Sequence, residues 1–296
     1  MLDWRRSYQH LRTGAWAPTI AALWPLCTPE ERRPSQMYLA RYSNGQGTGG
    51  LTVLEGIAEG PGPMEALESV ARSSAAGGDL DTELRAALGR TDTMDIAVSG
   101  GIDAWLLAAL LHDEGRPVRG WYLESDVPGY CEKEQVMRMA DALEVPCEFV
   151  QASAADFLQA LPEFVATTES PIYNLHPVSK LLFARAVAAR GVTTLISGDG
   201  ADQVMGWDWH CDLLPLTLTC FQAAGVRLET PFLSEGVAAL CWVPRATKEP
   251  VRELARRYGI PDVPKRPTLF PPPPGIDIAA HSTELLITYL QRGRAQ

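Results

Sequence analysis

The chain has no paired cysteines. Its six cysteines (Cys27, Cys131, Cys147, Cys211, Cys220 and Cys241) lie far apart with no CxxC among them, which excludes a zinc ribbon, iron-sulfur ligation through paired thiols and a disulfide scaffold. They read as mostly core thiols. There is no Walker loop, since GxxxxGK followed by Ser or Thr occurs nowhere, and no apolar run long enough to cross a bilayer. An excess of positive charge is also lacking. The formal net charge is −10, and a nonspecific nucleic-acid surface needs a basic patch to meet phosphates. Basic residues cluster only locally, at 245–248 and 252–266, a strip suited to a small phosphate ligand or to a solvated helix face. The first ten residues, MLDWRRSYQH, lack the apolar core and small-residue cleavage site of a secretory signal. The expectation is a cytoplasmic protein without membrane or nucleic-acid partners.

What is present is an ordinary globular composition, 46% hydrophobic and 21% charged over 296 residues, enough for one large core or a domain with an appendage. The stretch to Gly78 is irregular: Trp4, Trp16 and Trp24 lie in short apolar patches and glycines crowd 43–50, so it reads as a small α/β cap. The run EGPGPMEALES predicts a loop and a short helix, and AAGGD at 75–79 a joint. The expected division is therefore an N-terminal extension over 1–78 and an α/β domain over 79–296. From Asp79 apolar runs alternate with helical periods in units of about thirty residues, a βαβ rhythm. Strands are expected at 94–98, 118–123, 147–150 and 193–197, with helices at 102–112, 132–143 and 180–190. Strands this short and apolar suit a parallel sheet covered by helices on both faces. The remainder is more helical. Pro271 to Pro274 cannot be helix or central strand, and 278–292 reads as a terminal amphipathic helix.

Two turns carry the chemistry. Ser99-Gly100-Gly101-Ile102-Asp103 falls between an apolar strand and an apolar helix. Its glycines allow successive N–H groups to face an anion, and the helix adds its N-terminal dipole. That is a phosphate cradle, with Asp103 placed to hold Mg²⁺ between phosphate oxygens; the plainer alternative is a strand-to-helix turn in which Asp103 only caps the helix. Ser197-Gly198-Asp199-Gly200-Ala201-Asp202 again follows a buried strand and brings two carboxylates to the end of a sheet where α/β folds bind ligands. Asp202 supplies a second metal ligand in this reading, and Asp199 contacts a reacting amine or carboxylate. Alone, such an Asp-Gly pair is most often just a turn.

In order, SGGID, GDGAD, PFL at 231–233 and a Lys/Arg-rich stretch with Arg266-Pro267 resemble the synthetase domain of asparagine synthetases, over roughly 79–270. Relatives of that domain include β-lactam synthetases, carbapenam synthetase and lasso-peptide cyclases. The resemblance implies an adenine nucleotide α-hydrolase-like fold of the ATP-pyrophosphatase type and a ligase of specialised metabolism that uses ATP and Mg²⁺. In the family a carboxylate becomes an acyl-adenylate with loss of pyrophosphate, and an amine then displaces AMP. Carried onto this sequence, Val98, Ser99, Gly100, Gly101, Asp103, Leu123 and Gly198 fall in the nucleotide site, with Asp103 and Asp202 on the metal. Asp199, Lys248, Lys265 and Arg266 are the implied catalytic groups. Glu169 and Pro171 match a substrate-side segment, PFL a packing segment, and Lys248 with Arg252 a K-x-x-x-R helix.

The departures are specific. The serine after SGGxD is Ala104, the glutamate of GDGxDE is Gln203, Met205 and Trp207 stand where an aromatic and a second glycine are usual, and the lysine of the Arg-Pro-Lys motif is Thr268. A side chain without charge cannot stabilise a charged transition state, so Lys265, Arg266 or Lys248 is expected to take over. Glutamine-using family members begin with a catalytic cysteine at position 2 in a full glutaminase domain. Leu2 and the short stretch before Asp79 imply that glutamine is not hydrolysed. The partners expected are a small-molecule or peptide carboxylate and an amine: free ammonia, an amine on the substrate itself (as in lactam or lasso-ring closure), a second small molecule, or ammonia from a separate protein. Two other classes compete. One is another ATP-pyrophosphatase enzyme, such as an NAD synthetase or tRNA-thiolating enzyme, which shares SGGxD but not GDGAD and PFL. The other is a noncatalytic nucleotide-binding scaffold, favoured by Ala104, Gln203 and Thr268.

Overall fold

A computed structural model describes residues 6–43, 50–60, 69, 78–127, 129–205, 213–241, 248–261, 263, 270 and 275–292. The N-terminal segment contributes a small antiparallel sheet of order β2-β1-β3, from β1 (Tyr8–His10), β2 (Trp16–Ala17) and β3 (Ile57–Glu59), with short helices at Ile20–Leu23 and Gln36–Ser43. Its apolar residues Tyr8, Ile20, Leu23, Trp24 and Val53 share one buried cluster with Phe157, Phe164, Leu181, Ile278 and Leu286 from the rest of the chain. Glu169 ties the two together. It sits in a left-handed conformation (φ 49) at the end of the Ala154–Thr168 helix, and its buried carboxylate accepts the backbone N–H groups of Ile20 and Ala21 at the start of the 20–23 helix. Both oxygens of Glu169, the residue the family resemblance assigns to a substrate-side segment, are engaged in capping orphan helix donors.

The second sheet is the frame of the site. Its five strands are β4 (Asp95–Ala97), β5 (Arg119–Ser125), β6 (Cys147–Ala152), β7 (Thr194–Ser197) and β8 (Arg227–Glu229), all parallel, in the order β6-β5-β4-β7-β8. As the apolar strands predict, helices cover both faces. Ile96, Val118, Tyr122 and Ile196 pack with the Ile102–Asp113 and Glu249–Arg257 helices on one side. Trp121, Val150, Leu195 and Leu228 pack with Val178–Ala188 and Leu213–Ala223 on the other. Alternation along single strands, Trp121 against Tyr122 and Leu195 against Ile196, assigns neighbouring side chains to opposite faces. The Ile102–Asp113 helix is buried all round, from Ile102 to Leu111 with only Asp103 partly exposed, as befits a helix packed between the sheet and an outer helical layer.

Sequence periodicity found every strand of this sheet except β8, and placed the terminal helix at its observed limits, Ile278–Arg292. It missed the fifteen-residue helix Ala154–Thr168. Pro162 sits inside that helix, a position that usually breaks one, and a Ser153–Asp156 capping box starts it. Of the described cysteines, Cys27, Cys220 and Cys241 are buried as expected, while Cys131 is exposed. The proline run 271–274 and most of the 61–77 segment lie outside the described residues.

Candidate active site

The strand order makes a crevice before any side chain is considered. From β4 the chain steps outward to β5 and β6, then returns to lay β7 on the other side of β4. The loops leaving β4 and β7 therefore diverge above neighbouring strands, the switch point at which open α/β sheets take ligands. Ala97 pairs with Ser197, so the SGGID and SGDGAD turns emerge side by side. Gly198 lets them touch: a Cβ there would lie 2.7 Å from the Ala104 nitrogen and 3.0 Å from Asp103 Cβ. Gly200 adopts φ +98, and a Cβ on it would run into Leu233. The PFL segment is thus the buried floor of the second turn, with Phe232 and Leu233 fully enclosed.

In the first turn Val98 donates its N–H to Trp121 O at 2.9 Å, extending β4 by one residue. Ser99 is fixed at both ends: its carbonyl accepts from Trp105 Nε1 at 2.8 Å and its hydroxyl from Gly101 N–H at 3.2 Å. Gly101 caps the helix in extended conformation (φ −82, ψ 158) and offers no side-chain acceptor to the first-turn N–H groups. The Gly100 N–H donates to the Glu132 carboxylate at 2.9 Å. Glu132 is held there because its own N–H donates to Tyr122 Oη at 2.7 Å. An internal anion therefore sits on the backbone donor that a phosphate would use.

The two predicted metal ligands meet. Lys248, at the N-terminal end of the Glu249–Arg257 helix, places its ammonium 2.6 Å from an oxygen of Asp103 and 2.6 Å from an oxygen of Asp202. Those oxygens can be no farther apart than twice that distance, although the residues are ninety-nine positions apart in sequence. The three side chains are 10% (Lys248), 20% (Asp103) and 21% (Asp202) exposed. Burial works against the Lys248 charge, but the two carboxylates outweigh it and raise the pKa of the ammonium. The pair of oxygens holds a cation here, the Lys248 ammonium, and hard carboxylate oxygens of this kind suit Mg²⁺. Among the described residues no cluster of three or more His, Cys, Asp or Glu could hold a metal by itself. Two carboxylates completed by phosphate oxygens and water is how Mg²⁺ is usually bound beside a nucleotide.

Asp199 lies on the other flank of the second turn. Lys180 Nζ stands 3.2 and 3.3 Å from its two oxygens, and Ser197 Oγ donates to it at 2.7 Å. Burial opposes ionisation of Asp199, yet the Lys180 charge, the Ser197 hydroxyl and the nearby His176 hold its carboxyl below the usual range.

The asparagine synthase family model matches residues 90–283, more than half of the chain, from β4 into the terminal helix. The chain belongs to the asparagine synthase family. No curated protein sequence matches it significantly. Among solved structures, it is similar to a U34-tRNA thiolase from Methanococcus maripaludis at 12% identity, covering 77% of this chain and 80% of that one with a TM-score of 0.41. An NMN synthetase from Francisella tularensis is also similar at 12% identity, over 77% of this chain and 95% of that one, TM-score 0.30.

For this asparagine synthase family chain, the structure brings Ser99, Gly100, Gly101, Asp103, Gly198, Asp199, Asp202 and Lys248 together at one crevice. Val98 and Leu123 lie towards the carboxyl ends of adjacent strands, β4 and β5. Lys265, Arg266 and Thr268 lie outside the described residues. Lys248, one of the three cations considered for the place of the family lysine after the favoured Lys265, has its ammonium between the carboxylates of Asp103 and Asp202. Two residues escaped sequence reading. Glu132 lies in no motif. Lys180 did leave a signal: it occupies the first turn of the Val178–Ala188 helix, where the dipole disfavours a cation unless a carboxylate such as Asp199 faces it.

Proposed function

We propose that this chain is an ATP-dependent ligase that forms an amide by way of an acyl-adenylate. The observation that carries the reading is the meeting of Asp103 and Asp202 on a single cation, beside the Gly100-Gly101 turn and at the switch point of the sheet. Val98 and Leu123 wall the adenine, the backbone of Ser99 to Gly101 receives the phosphates, and Asp103 and Asp202 hold Mg²⁺. When bound, Mg²⁺ supplies charge neutralisation to the phosphates and the departing pyrophosphate. Lys248 then turns from the carboxylates to a phosphate oxygen, and Glu132 yields the Gly100 N–H.

A carboxylate oxygen of the substrate attacks the α-phosphorus. The new O–P bond forms as the bond to the bridging oxygen breaks, and pyrophosphate leaves with that electron pair. The amine nitrogen next attacks the acyl carbon. The C–N bond forms, the C–O bond to AMP breaks with its pair on AMP, and the amine proton passes to solvent. Asp199, held ionised, accepts a hydrogen bond from the incoming amine and orients its lone pair. An amine carried on the substrate itself, giving a lactam or a lasso ring, needs no ammonia source and suits a role in specialised metabolism.

The test is AMP and pyrophosphate release from ATP with Mg²⁺ across a panel of carboxylates, together with ATP calorimetry on Gly100→Val. The branched side chain first meets the flexible end of Glu132, 2.7 Å from the Cβ position, so the fold tolerates it while the phosphate site does not. Unchanged ATP affinity in that variant rules out the cradle. ATP binding without pyrophosphate release, with any carboxylate or partner protein, replaces the ligase with a nucleotide-binding scaffold.

A further inference from the structure

An acyl-adenylate ligase in which the Arg-Pro-Lys position carries Thr268 lacks one cation, and the structure offers a replacement that the family motifs do not include. Building on the ligase reading, we propose that Lys180 is the catalytic cation of this site, meeting the negative charge that develops on the α-phosphate and on the acyl oxygen.

Three observations converge on it. First, Lys180 is at the crevice: its ammonium contacts both oxygens of Asp199, which lies in the turn between Ser197 at the end of β7 and the metal ligand Asp202. Second, it is partly withdrawn from water, with a side chain only 20% exposed, so its charge acts at a lower effective dielectric than a surface lysine. Third, it has capacity to spare. An ammonium has three N–H donors, and among the described residues the contacts of Lys180 go to one carboxylate at 3.2 and 3.3 Å. Lys248 is differently engaged, held at 2.6 Å by each of two carboxylates. The lysines flank the second turn from opposite faces of the sheet, Lys248 with the helix at 249–257 and Lys180 with the helix at 178–188. Lys248 serves the metal and phosphate side, and Lys180 faces the side of Asp199, where the ligase reading places the amine and the acyl group.

The pair is also self-consistent chemically. A lysine in a first helical turn is unfavourable against the dipole, and Asp199 offsets this in the resting protein. Charge developing on the substrate gives the ammonium a second acceptor without moving the helix. The preorganised donor stabilises the transition state more than the ground state, the condition for raising kcat.

The experiment uses the full chain and three substitutions, Lys180→Met, Lys180→Gln and Lys180→Arg. Each is measured for ATP affinity by calorimetry with Mg²⁺, for thermal stability, and for AMP formation from ATP. AMP formation is followed with a panel of carboxylates and hydroxylamine as trapping amine, and over long incubations with water as acceptor. Loss of the cation is expected to lower kcat for AMP formation about a hundredfold in Lys180→Met and Lys180→Gln while ATP affinity stays within about twofold. Lys180→Arg should recover a substantial part of kcat because it keeps the charge. Lys180→Gln keeps a neutral donor towards Asp199, so it reports on charge even if Lys180→Met does not fold. Full turnover in Lys180→Gln overturns the proposal. So does equal damage in all three variants accompanied by loss of stability, which marks a structural ion pair. A silent Lys180→Met alongside an inactive Lys265→Met does the same and returns the role to Lys265. An unsubstituted chain that binds ATP but forms no AMP under any condition instead defeats the ligase reading itself, and Lys180 with it.

Discussion

Lys248→Met offers a direct test of the metal site that needs no knowledge of the substrate. The methionine keeps most of the aliphatic stem and its packing but removes the ammonium held 2.6 Å from Asp103 and Asp202. Two carboxylates then face each other with no cation between them. Taking one partner from a fully buried ion pair costs about 3–5 kcal/mol. Here both acids are about one-fifth exposed, so solvent screens part of the repulsion and the expected loss is about 2 kcal/mol. In a chain of 296 residues that lowers Tm by roughly 3 °C. Mg²⁺ should reverse it, because a ligand that binds only the folded state at a hundred times its Kd returns about 2.7 kcal/mol. The unsubstituted protein should gain less, since there Mg²⁺ must first displace the ammonium. The assay is thermal or urea unfolding of both proteins in MgCl₂ and in NaCl at equal ionic strength, with Asp103→Asn/Lys248→Met as a control that should not respond. If MgCl₂ stabilises Lys248→Met no more than NaCl does, or if the substitution costs nothing, the paired carboxylates are not a divalent-cation site.

Gly198→Ala should force the two turns apart, because its Cβ would lie 2.7 Å from the Ala104 nitrogen; a loss of about 1–3 kcal/mol and weaker ATP binding are expected from urea unfolding and calorimetry. Gly101→Ala, whose Cβ would meet only Ser99 Oγ at 3.5 Å, should leave stability nearly unchanged. Glu132→Gln removes the anion resting on the Gly100 N–H and should tighten ATP by up to about tenfold, while weaker binding would show that the carboxylate supports the nucleotide. Burial raises the pKa of Glu169 against the opposing hydrogen bonds from Ala21 and Ile20. The folded state therefore keeps this proton to higher pH than the unfolded chain, and the associated stability is lost as pH rises from the ordinary glutamate range through the raised folded value. Glu169→Gln should flatten that part of the Tm against pH profile, and an unchanged profile would remove Glu169 as its source.

The sequence by itself determined what is local. Short apolar runs fixed the parallel strands, because a strand buried on both faces needs apolar residues throughout. SGGID and SGDGAD, each directly after such a run, marked their places at strand ends, because glycine turns and helix starts are written in consecutive residues. The tertiary structure decided what lies between distant segments. That Asp103 and Asp202 converge depends on the chain returning across β4 to place β7 beside it, an ordering that no local pattern encodes. That Lys248 bridges them, Glu132 occupies the Gly100 N–H and Lys180 faces Asp199 depends on where three helices dock. Glu169 shows the same limit: its neighbours in sequence say nothing of the Ile20 and Ala21 N–H groups that its carboxylate caps. A charged side chain in sequence carries its chemistry but not its partner, and the partner is set by helix packing, in which each contact is fixed only when the whole core has closed.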